Sequence, residues 1–368
     1  RTSFAKAYQH LRALDPVNRA HLDLIERSVF TVTLEDSEPK TQTEYLEWTF
    51  KRDPYSRWAE KSLSIVCFNN GVVTMCSDHA PYDGMVVDTM CLAIHEKLVQ
   101  TAARWPGSKT VVFSKQQPLE ELVFTVDETI VRAMDKAHKT YTANAENLVI
   151  LISRCDAFGK SWTKKFKVHP DTIFQLALQW AYYSLHHKPA ATYETATTRQ
   201  FYHGRTETVR TCTTEALQWC QAMQDPSKSL TERRALLLAA VKRHDQNMAE
   251  ASSAQGCDRH LFGLQITAAE LGMPMPALYT DAAFTKSGGG GNFKLSTSCA
   301  GYSGGVGAVA PMVGDGYGVF YSIADDSYLP CLLSFKSCKE TNVEQLFVAL
   351  NASLANIKDL VMMDSSKM

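Results

Sequence analysis

The chain has 368 residues, 45% of them apolar and 21% charged, with a net charge of −1. That length can bury the cores of two domains, and the charge balance supplies no global field to attract nucleic acid or an anionic membrane. No apolar run approaches the length of about 18 residues that a membrane span needs. The ten cysteines contain no C-x-x-C pair, which argues for reduced thiols and against a disulfide framework or a metal site.

In chain order, residues 4–15 and 17–29 have helical spacing, interrupted at Asp15-Pro16. Residues 29–34 are β-rich, Asp36-Ser37-Glu38-Pro39 reads as a turn, and 41–51 as a helix. Two β-rich runs, 62–68 and 72–76, flank Asn69-Asn70-Gly71, whose residues tolerate positive φ and so predict a hairpin. A helix is expected over 85–104, with Met85, Met90, Ile94 and Leu98 at core spacing, then a strand over 120–126 and a helix over 127–147.

The pattern restarts near 147 with an apolar run, 147–152, expected to be a buried strand. A lysine-rich loop, 160–167, leads to a helix over 172–187 with Asp171 as its N-cap. A mixed segment over 193–210 and helices at 213–223, 230–250 and 258–271 follow. After the glycine run at 287–291 come strands at 293–298, 306–313, 317–323 and 330–335, and a closing helix over 342–361. No internal repeat is visible. Two blocks of mixed helix and strand predict an α/β two-layer sandwich in each, with domains at 1–147 and 148–368.

Several stretches carry groups suited to chemistry. His79 falls at the end of the second hairpin strand, with Pro81 stopping the strand and Asp83-Gly84 turning into a helix that Asp83 is placed to cap. An imidazole there, with a carboxylate four residues on, suits a positioned general base, or is an ordinary turn histidine. Lys160, Lys164, Lys165 and Lys167 before a helix N-terminus suit a phosphate, or form a solvated basic loop. Tyr193, Thr195 and Thr206 with a nearby arginine are groups that bind a carboxylate, or are turn hydroxyls. Ser298 in Leu295-Ser296-Thr297-Ser298 can donate to an oxyanion, or satisfy its own backbone. Two motifs mislead. Gly159-Lys160-Ser161 lacks the glycine a phosphate-binding P-loop needs, since that position is Arg154. Gly301-Tyr302-Ser303-Gly304-Gly305 matches G-x-S-x-G, but β-type sequence on both sides is not the strand-to-helix setting of a nucleophile elbow.

Asp78-His79-x-x-x-Asp83-Gly84 resembles the catalytic motif of the carnitine/choline acyltransferases, CoA-dependent enzymes of chloramphenicol-acetyltransferase-like fold. The form from Cys76 to Asp83 is most similar to the peroxisomal, medium-chain branch of that family. The resemblance implies His79 as the base and Asp83 beside it. It implies Lys160 and Lys164 at the CoA 3′-phosphate and Asp171 near the adenine or pantetheine portion. Tyr193-Glu194-Thr195 and Gly204-Arg205-Thr206-Glu207-Thr208 resemble the carnitine-binding segment, which assigns Tyr193 and Thr206 to the carnitine carboxylate and Thr195 close by. Asp258-Arg259-His260 matches the segment whose arginine pairs with that carboxylate; choline acetyltransferases lack this arrangement. Ser298 ends the family's Ser-Thr-Ser motif, beside the catalytic histidine. Gly307 stands where enzymes for acetyl groups carry a large side chain, and leaves room for a longer acyl chain or serves close strand packing.

The resemblance therefore implies reversible medium-chain acyl transfer between CoA and L-carnitine, by direct attack with no metal, no covalent intermediate and no tightly bound cofactor. CoA or acyl-CoA is a co-substrate, and a monomer is expected. A CoA acyltransferase using another alcohol such as choline, and an inactive CoA-binding fragment, are the alternatives. Family members carry further residues ahead of the region matching Arg1, so the first domain is expected to be incomplete. The ending Ser366-Lys367-Met368 resembles the peroxisomal S-K-L address, which implies a peroxisomal location and an import receptor as partner.

Overall fold

The computed structural model describes residues 2–52, 54–102, 119–302 and 305–363. The targeting reading of Ser366-Lys367-Met368 lies outside the described residues, as do Ser303 and Gly304. The chain divides into two compact units, 1–146 and 147–368. Both mix helices with a sheet, so the α/β class expected from the sequence is the one observed.

The first unit runs α1 (Thr2–Leu14), α2 (Pro16–Arg27), β1 (Thr31–Glu35), α3 (Gln42–Lys51), β2 (Leu63–Phe68), β3 (Val73–Ser77), α4 (Gly84–Ala102) and α5 (Glu128–Asn147). Asp15 starts α2 by accepting the Val17 N–H at 2.8 Å, and Pro16 takes the first helical position, where no N–H is needed. Thr41 caps α3 in the same way through the Glu44 N–H. β2 is the central strand, parallel to β1 and antiparallel to β3. Gly71, at φ 81°, closes the hairpin between β2 and β3.

Two expectations for this unit fail. Residues 120–126 form no strand; Thr125 instead exchanges both backbone bonds with one side chain, that of Asn18, at 2.8 and 2.9 Å. A buried amide carries both a donor and an acceptor, so it can replace a strand partner. The apolar spacing of α4 does produce a helix, but Met85, Ile94 and Leu98 are exposed and Met90 is half-buried. Periodicity reports a helix's apolar face, not whether a second layer covers it.

The second unit runs β4 (Leu148–Ile152), α6 (Lys160–Lys165), α7 (Pro170–His186), β5 (Thr192–Thr197), β6 (Thr206–Arg210), α8 (Thr214–Gln224), α9 (Leu230–Ser252), α10 (Asp258–Glu270), α11 (Ala282–Lys286), β7 (Leu295–Cys299), β8 (Tyr317–Ile323), β9 (Tyr328–Phe335) and α12 (Val343–Met362). Its sheet has the order β4-β9-β8-β7-β5-β6; β7 is parallel to both β8 and β5, and the other pairs are antiparallel. Residues alternate between two faces. Leu295, Tyr317, Val319, Tyr321 and Ile323 turn to the helix face, where they meet Phe174 and Leu178 of α7 and Leu350 and Leu354 of α12. Each such fully buried side chain contributes roughly 1.5–3 kcal/mol relative to an exposed one. Tyr193, Thr195, Ser296, Ser298, Gly318 and Phe320 occupy the alternate positions and turn to the opposite face.

Three local expectations for this unit do not hold. The lysine segment is not a loop: 160–165 form the short helix α6. Asp171 is not an N-cap. His169 holds that position in extended backbone, Pro170 is first in α7, and Asp171 follows inside the first turn. Residues 306–313 form no strand. They lie against the opposite face of β8, where a Cβ on Gly318 would stand 1.9 Å from the Val309 carbonyl oxygen and one on Gly307 2.8 Å from the Phe320 ring. Chain stacked on a sheet face cannot also pair in its plane, although the same apolar composition serves both.

Candidate active site

In the first unit, β3 ends at Ser77 and the chain turns across 78–83 into α4. The turn is tied to the start of β2. The Asp78 N–H donates to the Ser62 carbonyl at 3.1 Å, and the Tyr82 hydroxyl donates to the same oxygen. Asp78 Oδ1 accepts the Ala80 N–H at 3.2 Å, and the Asp83 carbonyl accepts the Val86 N–H in the first turn of α4. His79 Nδ1 stands 3.8 Å from Asp83 Oδ1, with the histidine side chain 75% exposed and the carboxylate 13% exposed. A largely buried carboxylate thus faces one nitrogen of an exposed imidazole, an arrangement that can orient the ring while Nε2 takes a proton.

In the second unit, three of the residues singled out by sequence come together. Arg259 Nη2 donates to the Tyr193 hydroxyl at 3.1 Å and to Thr206 Oγ1 at 3.3 Å. The guanidinium carbon also lies 5.8 Å from the centre of the Tyr193 ring. Thr195 belongs to the same face as Tyr193, and its partner across the β5–β6 ladder is Thr208. Two contacts hold Arg259 at the start of α10. Its N–H donates to Glu207 Oε1 at 3.2 Å. The preceding Asp258 takes a forked pair from Arg210 on β6, at 2.9 Å from Nε and 2.7 Å from Nη2. Gly256 is needed for this seat, because a Cβ there would stand 2.4 Å from Glu207 Cγ. The result is one cation and two hydroxyls converging, which matches the needs of a carboxylate ligand.

The lysines gain geometry from being helical. Lys160 and Lys164 are four residues apart on α6 and therefore share a face. Lys160 also pairs with Asp325 at 3.0 Å and lies 4.8 Å from the Tyr302 ring centre, whereas Lys164 is exposed. A Cβ on Gly159 would stand 2.3 Å from the Ser327 N, so α6 begins pressed against the turn between β8 and β9. Asp171 is buried, and its Oδ1 accepts the Tyr321 hydroxyl at 2.5 Å.

Ser298 lies opposite Phe320 in the β7–β8 ladder, and Gly307 packs on that same ring. Sequence reasoning passed over Asp325 and Tyr302 beside Lys160, and also a buried polar group behind the sheet: Glu194, His244, Gln175 and Tyr321. A signal for the latter was present. Gln175 and Gln179 lie four apart in the apolar middle of α7, and Glu194 occupies a strand position whose neighbours turn the other way.

Residues 1–352 match the profile of the Choline/Carnitine o-acyltransferase family, and the chain belongs to that family. Among its relatives is the peroxisomal carnitine O-octanoyltransferase of Mus musculus, 48% identical over 351 residues, which are 94% of this chain and 57% of that protein. The Homo sapiens protein of the same name is 46% identical over the same shares. The carnitine O-acetyltransferase of Rattus norvegicus is 30% identical over 98% of this chain and 58% of that protein. The chain thus spans somewhat more than half the length of these relatives. Among solved structures, the epimerization domain from the third module of tyrocidine synthetase B superimposes at TM-score 0.47 and 10% identity, over 90% of this chain and 80% of that one.

Proposed function

We propose that the protein transfers a medium-chain acyl group reversibly between CoA and L-carnitine. The observation that carries this reading is the convergence of Arg259, Tyr193 and Thr206, which supplies one cation and two hydroxyls for a single carboxylate. Choline has no carboxylate and gives such a cluster nothing to bind. Family membership and the names of the relatives support CoA and carnitine as the substrates.

In this reading His79 removes the proton of the carnitine hydroxyl. The resulting alkoxide attacks the thioester carbonyl, and Ser298 donates a hydrogen bond to the tetrahedral oxyanion. When the carbon–sulfur bond breaks, the CoA thiolate leaves and takes the proton back from the His79 imidazolium. The same steps run in reverse, with His79 taking the thiol proton. Asp83 orients the imidazole. Lys160 and Lys164 face the CoA 3′-phosphate, with Asp171 nearby. Thr195 lies beside the carnitine carboxylate, and Gly307 leaves space for the distal acyl carbons. The first unit supplies the base and the second the CoA and carnitine contacts. The names of the octanoyltransferase relatives support medium-chain preference and a peroxisomal location.

The experiment is a steady-state assay of octanoyl transfer with carnitine varied against fixed octanoyl-CoA, with choline as the alternative acceptor. The reading expects saturable turnover with carnitine and none above background with choline. Turnover with choline alone would replace carnitine by another alcohol, and binding of CoA without turnover would make the chain a CoA-binding fragment.

A further inference from the structure

Glu194 lies between Tyr193 and Thr195 on β5, and strand alternation turns it to the helix face. It is 2% exposed there, and its Oε2 lies 2.7 Å from Nε2 of His244 on α9, itself 1% exposed. The other ring nitrogen, Nδ1, is 3.0 Å from Thr172 Oγ1 on α7, and that hydroxyl donates to Asp245 Oδ1 at 2.5 Å. A threonine hydroxyl has one proton to give. With that proton on Asp245, Thr172 can only accept from the imidazole, so Nδ1 carries a hydrogen. If the ring is neutral, Nε2 is then bare and needs a donor, and a carboxyl donates only when it is protonated.

Burial decides between this neutral pair and an imidazolium–carboxylate pair. The groups facing it are His169 and Asp171 at the start of α7, Asp245 on α9, Tyr321 on β8 and Cys299 on β7. Burial, then the charge of Asp171, push the Glu194 carboxyl well above the ordinary range, and burial lowers His244. Both directions favour the neutral pair.

A second tie holds the same strand. Thr297 of β7 donates to the Tyr193 carbonyl at 2.8 Å and accepts from Gln175 at 2.9 Å, and Gln175 also donates to Tyr321 at 2.9 Å. A slip of one residue in β5 would turn Tyr193 and Thr195 into the helix layer. We propose that Glu194, a carboxylic acid donating to His244 Nε2, is a positioning residue that keeps Tyr193 and Thr195 turned to the carnitine-binding face of the sheet. This rests on the carnitine reading above.

The test uses the full-length protein. In Glu194→Gln the amide N–H replaces the acid O–H as donor, and the carnitine KM should stay within about threefold of the parent. Glu194→Leu keeps the bulk without a donor, and should raise the carnitine KM about tenfold or more while the octanoyl-CoA KM moves less than about twofold. A Gln variant as impaired as Leu would mean an ionised pair and overturn the proton assignment. Both KM values rising together would make Glu194 merely structural. The assignment also has a readout independent of turnover: ¹⁵N shifts of His244, identified by their loss in His244→Gln, should report a neutral ring with hydrogen on Nδ1, and a doubly protonated ring would overturn it. Arg259→Asn in the same assay tests the carnitine reading separately; an unchanged carnitine KM there would remove the substrate half of the proposal, while the ¹⁵N result would still decide the proton assignment.

Discussion

Replacing Arg259 with asparagine removes the one cation of the carboxylate cluster and leaves its seat intact, because the contact to Glu207 is made by the backbone N–H. The lost group donates to Tyr193 at 3.1 Å and to Thr206 at 3.3 Å, positions from which it can also donate to a bound carboxylate. Hydrogen bonds to charged groups contribute about 1.5–3 kcal/mol net. Arg259 is exposed, and solvent screening argues for the lower part of that range. About 2 kcal/mol corresponds to roughly 30-fold in affinity. The assay is initial-rate octanoyl transfer with each substrate varied in turn, alongside thermal unfolding. The carnitine KM should rise by roughly 10- to 30-fold, the octanoyl-CoA KM should change by less than about twofold, and the melting temperature should hold. Equal increases in both KM values, or a lowered melting temperature with no effect specific to carnitine, would refute the reasoning and make Arg259 a structural residue.

His79→Ala should lower kcat by at least about 10²-fold without unfolding the chain, as the loss of a general base requires; stopped-flow or endpoint assays of a folded variant with near-parental turnover would contradict that role. The double variant Lys160→Ala/Lys164→Ala should bind CoA and dephospho-CoA with similar affinity by calorimetry, whereas the parent should favour CoA; a retained preference would leave Lys160 to its pair with Asp325 and Lys164 to solvent. Gly307→Met should depress octanoyl transfer far more than acetyl transfer, since each buried CH₂ is worth about 0.8 kcal/mol. The Phe320 ring, 2.8 Å from the position of the new Cβ, has to move to admit the side chain, so losses equal across chain lengths would assign Gly307 to packing alone.

What could be read from the sequence was governed by local chemistry. Asp15-Pro16 and Asn69-Asn70-Gly71 mark a break between two helices and a hairpin because cap and turn residues act over a few bonds, and both features form, the break as the Asp15 cap of α2. The motifs carrying Tyr193, Thr206 and Arg259 were visible one by one. Their convergence depends on the pairing of β5 with β6 and on Glu207 seating the start of α10, which no local pattern encodes. Residues 120–126 and 306–313 have strand-like composition, yet one is satisfied by the Asn18 side chain and the other lies on the face of β8. Composition records that a segment is apolar and extended, while the partner is a tertiary matter. Asp171 looked like a cap because it precedes a helical run, but Pro170 already has the right φ to begin that helix. The Glu194–His244 pair went unread because fifty residues separate its members.

The most direct test of the account is the appearance of free CoA thiol when octanoyl-CoA is mixed with the full-length protein, followed colorimetrically with and without acceptor. The account predicts thiol release that requires L-carnitine, saturates with it, yields octanoylcarnitine in equal amount, and is abolished in His79→Ala. Release that proceeds at the same rate without carnitine, or with choline in its place, would contradict it.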